Sequence, residues 1–70
     1  MLQKDFGKYI LLKDNFSIKL IDKEKNVPIR MLRLSDYSAD VVIEIVMQWL
    51  RDLDIEFDEK ELFHGFFFKI

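Results

Sequence analysis

Residues 51–63, RDLDIEFDEKELF, carry six carboxylates and two cations, the densest run of ionisable side chains in the 70-residue chain. Carboxylates so spaced could bind a cation, share acid–base work, or present a charged contact surface. Asp52, Asp54 and Glu56 stand at positions 1, 3 and 5 of an EF-hand-like loop. That loop needs glycine at its sixth position and a bidentate Glu at its twelfth, and the chain has Phe57 and Phe63 there. His64 is the only imidazole and cysteine is absent, so a zinc site lacks its ligands. A thiol nucleophile is excluded with it.

Hydroxyl catalysis has little more support. Ser35 and Ser38 lie where a helix would need capping, Ser17 lies in an alternating strand-like run, and His64 is far from all three in sequence. Gly7 and Gly65 are the only glycines, too few and too far apart for a phosphate-cradling loop. Paired carboxylates work as acid and base only in a cleft that gives them unequal environments, and a chain this short makes a poor cleft. The expectation is a protein that is not an enzyme, with no catalytic residue, no metal and no cofactor.

A charged contact surface is the remaining chemistry. Asp36, Asp40, Glu44, Asp52 and Glu56 recur at intervals of four, with Gln48 in the one gap. Acids four apart on a helix repel by a few tenths of a kcal/mol each. A sequence tuned for stability alone would interleave lysines, yet only Arg51 and Lys60 are interspersed. Retained repulsion points to a field that is used for steering and docking on a basic surface. The candidate partner-binding residues are Asp40, Glu44, Asp52, Asp54, Glu56, Asp58, Glu59 and Glu61. The bland reading is that any amphipathic helix has a wet, charged side.

The charge of the whole chain is divided in the same sense. Residues 1–35 sum to +4, residues 36–61 to −7, and Lys69 adds one positive charge, for a net −2. The lysines of the first half fall at turns and wet strand positions among acids, so direct nucleic-acid binding is not expected. Half the residues are apolar, including seven Phe, enough for one small core of about 3–5 kcal/mol net stability. The apolar run near the start is four residues long, too short for a signal-peptide core or a membrane span. Cytoplasmic residence in a bacterial host cell, without membrane contact, is expected, and Met1 through Ile70 reads as a complete small open reading frame.

The elements that must position these acids follow from periodicity. KYILLK (8–13), FSIKLID (16–22) and VPIRMLRL (27–34) read as three antiparallel strands joined by polar turns, with Pro28 tolerable at a strand start or an edge. SDYS supplies two candidate N-caps for a helix at about 38–53, with Val42, Ile45, Val46, Trp49, Leu50 and Leu53 on its buried face. Ile43 and Met47 would then be exposed on the flank, available to a homodimer. In 54–58 the acids alternate with Ile55 and Phe57, predicting an extended segment with apolar residues inward and carboxylates outward. DEKELF could add a helical turn, and HGFFFKI (64–70) reads as a C-terminal strand. The expected fold is α+β: one small domain over residues 1–70, an antiparallel three- to four-stranded sheet packed against one main helix.

In overall profile, a compact cysteine-free chain rich in Lys, Ile, Asp and Phe with an acidic second half resembles the small early proteins by which lytic phages take over Gram-positive hosts. Several of these are DNA mimics. The resemblance implies a non-catalytic inhibitor whose carboxylates replace DNA phosphates on a basic bacterial DNA-binding protein, with the nucleoid protein HU preferred because it reads backbone without base specificity. Helical acids four apart rise about 6 Å, close to every second phosphate of a strand. The alternative is a module that binds a sliding clamp or RNA polymerase through an apolar surface. Glu59-Lys60-Glu61-Leu62-Phe63 is similar to the bacterial clamp-binding pentapeptide in its closing Leu-Phe, without the opening Gln.

Overall fold

A computed structural model describes residues 2–67. Four antiparallel strands follow one another in space as in sequence: β1 (Leu2–Asp5), β2 (Tyr9–Lys13), β3 (Ser17–Asp22) and β4 (Val27–Arg33). A 3-10 turn (Leu34–Asp36) leads into α1 (Ala39–Asp52), and a short helix α2 (Glu59–Leu62) continues into a π-helical turn (Phe63–Phe67). The fold is α+β, with one main helix against a four-stranded sheet.

Local chemistry explains the hairpins. At β1–β2, Asp5 Oδ1 accepts from the Gly7 N–H at 2.7 Å, and Gly7 has φ +92°, a region open to glycine but costly for other residues. At β2–β3, Asp14 Oδ1 accepts from the Phe16 and Ser17 N–H groups at 2.7 and 2.8 Å, an Asx turn. At β3–β4, Asp22 holds the Glu24 and Lys25 N–H groups, and Asn26 takes the left-handed position at φ 56°. Asparagine tolerates that conformation better than most residues.

Register then sorts the side chains by face. Leu11 lies opposite Leu20, and Ile18 opposite Leu32, so these four buried residues share the face toward α1. Val42, Ile43, Val46, Met47 and Leu50 meet them from the helix, and Leu62 and Phe66 from the C-terminal segment. The opposite face carries Ile10, Leu12, Lys19, Ile21 and Met31; none of its apolar residues packs on the core.

Several expectations are corrected. β1 was not anticipated as a strand. Its four residues include only Leu2 as an apolar anchor, and Lys4 faces inward opposite Leu11. Ile43 and Met47 are buried, not exposed, whereas Ile45 and Trp49 are only half-buried, so the buried stripe of α1 is rotated from the one expected. The homodimer surface proposed from Ile43 and Met47 is thereby removed. The C-terminal strand expected at 64–70 is helical across Phe63–Phe67; residues 68–70 lie outside the described residues. The cause is visible in the burial pattern: Leu62 and Phe66 are both buried while His64 between them is exposed, and a strand would turn 62, 64 and 66 to one face whereas a helix sets 64 apart.

Candidate acidic interaction surface

α1 sets the first group of acids. Asp40 and Glu44 lie on its open side one turn apart, followed by Gln48 and Asp52, all exposed. The Gln48 amide donates to Asp52 Oδ1 at 2.8 Å. From Asp40 to Asp52 the helix rises about 18 Å, roughly five phosphate spacings of one DNA strand. Asp40, Glu44, Gln48, Arg51 and Glu59 border a groove of about 570 Å³ that the buried Ile43 and Met47 also line.

The end of α1 aims the second group. Asp54 N–H donates to the Arg51 carbonyl at 3.1 Å and Ile55 N–H to the Leu50 carbonyl at 2.8 Å. Asp54, between them, has φ 54°. This is the Schellman ending, in which glycine usually fills the left-handed position. Here aspartate fills it, and its carboxylate stands in solvent. Beyond it, Ile55 and Phe57 are half-buried while Asp54, Glu56 and Asp58 are exposed. The inward–outward alternation expected of 54–58 is present, although these residues pair with no strand among the described residues. Asp54 and Glu56 border a separate depression of about 340 Å³, together with Phe6, Lys8 and Tyr9.

The third group sits on α2, and its members have structural duties. Asp58 Oδ1 accepts from the Glu61 N–H at 3.1 Å and its carbonyl accepts from the Leu62 N–H at 2.9 Å, so Asp58 caps the helix. Glu61 pairs with Lys4 of β1, and Glu59 Oε1 lies 3.5 Å from Arg51 Nη2. Two of the eight candidate carboxylates are thus partly neutralised within the molecule. Asp40, Glu44, Asp52, Asp54, Glu56 and Asp58 have no Lys or Arg at ion-pair distance among the described residues.

The eight acids therefore occupy adjoining regions, not one row: the α1 groove with Glu59, the depression after α1, and the α2 cap with Glu61 beside β1. Among the described residues no three His, Cys, Asp or Glu side chains converge as metal ligands do. His64 is exposed in the π-helical turn. No helix of the described residues is long and apolar enough to cross a membrane. The outer sheet face, not anticipated from the sequence, carries Ile10, Leu12, Ile21 and Met31 as an apolar patch with Lys19 at its centre. The signal was present, since Ile10 and Leu12 flank Leu11 and must face away from it. Comparison with known proteins finds no matching family model, no matching curated protein and no matching solved structure, so the functional reading rests on this chain's own geometry.

Proposed function

We propose that this protein is a non-catalytic inhibitor that presents its acidic side as a DNA mimic and occupies the DNA-binding surface of a basic bacterial protein, with HU the preferred target. The observation that carries the reading is the lack of counter-charge. Six exposed carboxylates stand without an ion-pairing cation among the described residues, in a small domain where like-charge repulsion is a material fraction of stability. A cationic groove would meet Asp40, Glu44 and Asp52 along about 18 Å of helix, with Asp54 and Glu56 extending the contact. The buried Ile43 and Met47 beneath the groove give the carboxylates a low-dielectric backing, which strengthens their field on the solvent side.

The test is competition. Purified protein is titrated into HU bound to a labelled duplex, at low and at raised salt. Displacement of the duplex, weakening steeply as salt rises, supports the reading. The triple reversal Asp40→Lys, Glu44→Lys, Asp52→Lys should abolish displacement while circular dichroism stays native. Displacement that survives the reversal rejects it.

The second reading, a module that binds replication or transcription proteins through an apolar surface, is favoured by one observation: the outer-face patch of Ile10, Leu12, Ile21 and Met31. A complex built on that patch would hold as salt rises.

A further inference from the structure

β4 is a seven-residue strand whose one neighbour among the described residues is β3, so that among them its other side is an open edge. The backbone groups on that edge can be named. Leu34 N–H donates to the Phe16 carbonyl at 2.8 Å, and the register continues with Ile18 opposite Leu32 and Leu20 opposite Arg30. In an antiparallel ladder, hydrogen-bonded pairs alternate with pairs whose backbone groups point outward. Leu32 and Arg30 therefore bond to β3, while Met31 directs its N–H and C=O, and Arg33 its N–H, to the open edge. The Arg33 carbonyl, at the N-cap of the 3-10 turn, takes that turn's first bond, whereas no strand pairs with Met31 or with the Arg33 N–H on that edge among the described residues.

Natural sheets guard such edges with proline, bulges and charge. Here Pro28 and the irregular register near Ile21 protect the first half of β4. The second half is guarded only by cations. Arg30 and Arg33 are exposed and neither is at ion-pair distance from a carboxylate among the described residues. Arg30 Nη1 bonds the Ile29 carbonyl at 2.9 Å, which leaves its other guanidinium N–H groups for a ligand. Between the two arginines, Met31 is 58% exposed on the outer face beside the Ile10, Leu12 and Ile21 patch.

We propose that this edge is a docking site for an extended, acidic segment of another protein, added as a fifth antiparallel strand beside Arg30–Arg33. Charge complementarity selects the occupant. A segment running against β4 sets one residue opposite Arg33, a second opposite Leu32, a third opposite Met31 and a fourth opposite Arg30. The preferred order is acid, any residue, apolar, acid: the first acid beside Arg33 on the outer face, the apolar side chain extending the patch from Met31, the last acid beside Arg30. Main-chain bonds to the N–H and C=O of Met31 and to the N–H of Arg33 hold the strand, and the side chains choose it. The site lies on the sheet, apart from the acidic surface of α1, and its occupation is independent of the proposed DNA mimicry.

The experiment uses the capped peptide Thr-Glu-Thr-Val-Glu-Thr with isotope-labelled protein, read by amide hydrogen exchange and chemical shift. The Met31 and Arg33 amides should exchange fast in the free protein and become protected on addition of the peptide. Replacing both Glu by Lys should weaken binding about tenfold or more, and N-methylating the Val amide, which donates to the Met31 carbonyl, should abolish it. Arg30→Glu with Arg33→Glu should invert the preference between the two peptides, with unchanged circular dichroism. Equal binding of the methylated peptide, shifts centred elsewhere, or no binding at millimolar peptide would overturn the proposal. So would Met31 and Arg33 amides already protected in the free protein in a concentration-dependent manner, because a second copy would then fill the edge.

Discussion

Asp54 joins the fold and the candidate surface in one residue. It closes α1 from a left-handed backbone position at φ 54°, where glycine would rest with less strain. Asp54→Gly should leave stability unchanged or raise it by up to about 1 kcal/mol, measured by urea denaturation, while DNA displacement from HU weakens. The opposite result, lower stability with unchanged displacement, would make Asp54 a structural residue only. Asp14 is a different kind of acid. The N–H groups of Phe16 and Ser17 hold its carboxyl below the ordinary aspartate value of 3.8. Asp5 is lowered as well, first by its bond from Lys23 and then by the Gly7 N–H. A carboxyl whose value is depressed by folding adds stability above its unfolded value, and that stability is lost as pH falls through the folded one. Asp14→Asn should therefore be less stable than the native protein at neutral pH, and the gap should close below pH 3.8, seen in denaturation midpoints taken down to about pH 2. A gap that is constant with pH would show that the turn does not depend on the charge.

At the scale of elements, Phe66 decides how the C-terminal segment behaves. Its side chain is buried and meets Phe67 edge-on, ring centres 5.2 Å apart. Phe66→Ala should destabilise by about 3–5 kcal/mol, enough to unfold a domain of this size at room temperature. Phe16→Ala, at a position 78% exposed, should change the urea midpoint little. A mild effect at Phe66 would show that the helical segment is not integral to the core. Strands β2, β3 and β4 were legible in the sequence because Ile18 and Leu20 alternate cleanly with Ser17 and Lys19, and because KEKN can only be a turn. α1 was legible in extent but not in rotation. Its positions 41–43, 45–47 and 49–50 are all apolar, so periodicity cannot choose a face; tertiary packing chooses, drawing Ile43 and Met47 into one core with Leu62 and Phe66. That segment was misread because a run of three Phe resembles a buried strand. The competing signals were Asp58 with Glu61 three residues on, a capping pair, and polar His64 midway between Leu62 and Phe66, where a strand would turn it to the apolar face. Of the candidate site, exposure was legible from alternation with Ile55 and Phe57, whereas the pairing of Glu61 with Lys4 depended on a strand that the sequence reading did not include.

For the molecule as a whole, the question is whether the acidic side is a neutral outcome of solvation or carries a net repulsion that folding must overcome. The two differ in their response to salt. The ion pairs Lys4–Glu61, Lys23–Asp5 and Arg51–Glu59 are on the surface, contribute little each, and weaken as salt rises. Opposing them are the unpaired acids from Asp40 to Asp58, whose mutual repulsion is screened by the same salt. A retained docking field requires the repulsive side, at a few tenths of a kcal/mol per neighbouring like-charge pair, to outweigh three exposed pairs worth about 0–1 kcal/mol each. Raising sodium chloride from about 0.05 to about 0.5 M should therefore increase the melting temperature by a few degrees, even as it weakens the complex with a cationic partner. Arg51→Ala sharpens the contrast: removal of the groove's one cation should lower the melting temperature at low salt, steepen its rise with salt, and strengthen displacement of DNA from HU. A melting temperature that stays flat or falls with salt would mean that the acids are balanced within the fold, and the physical basis for a retained docking field would be gone.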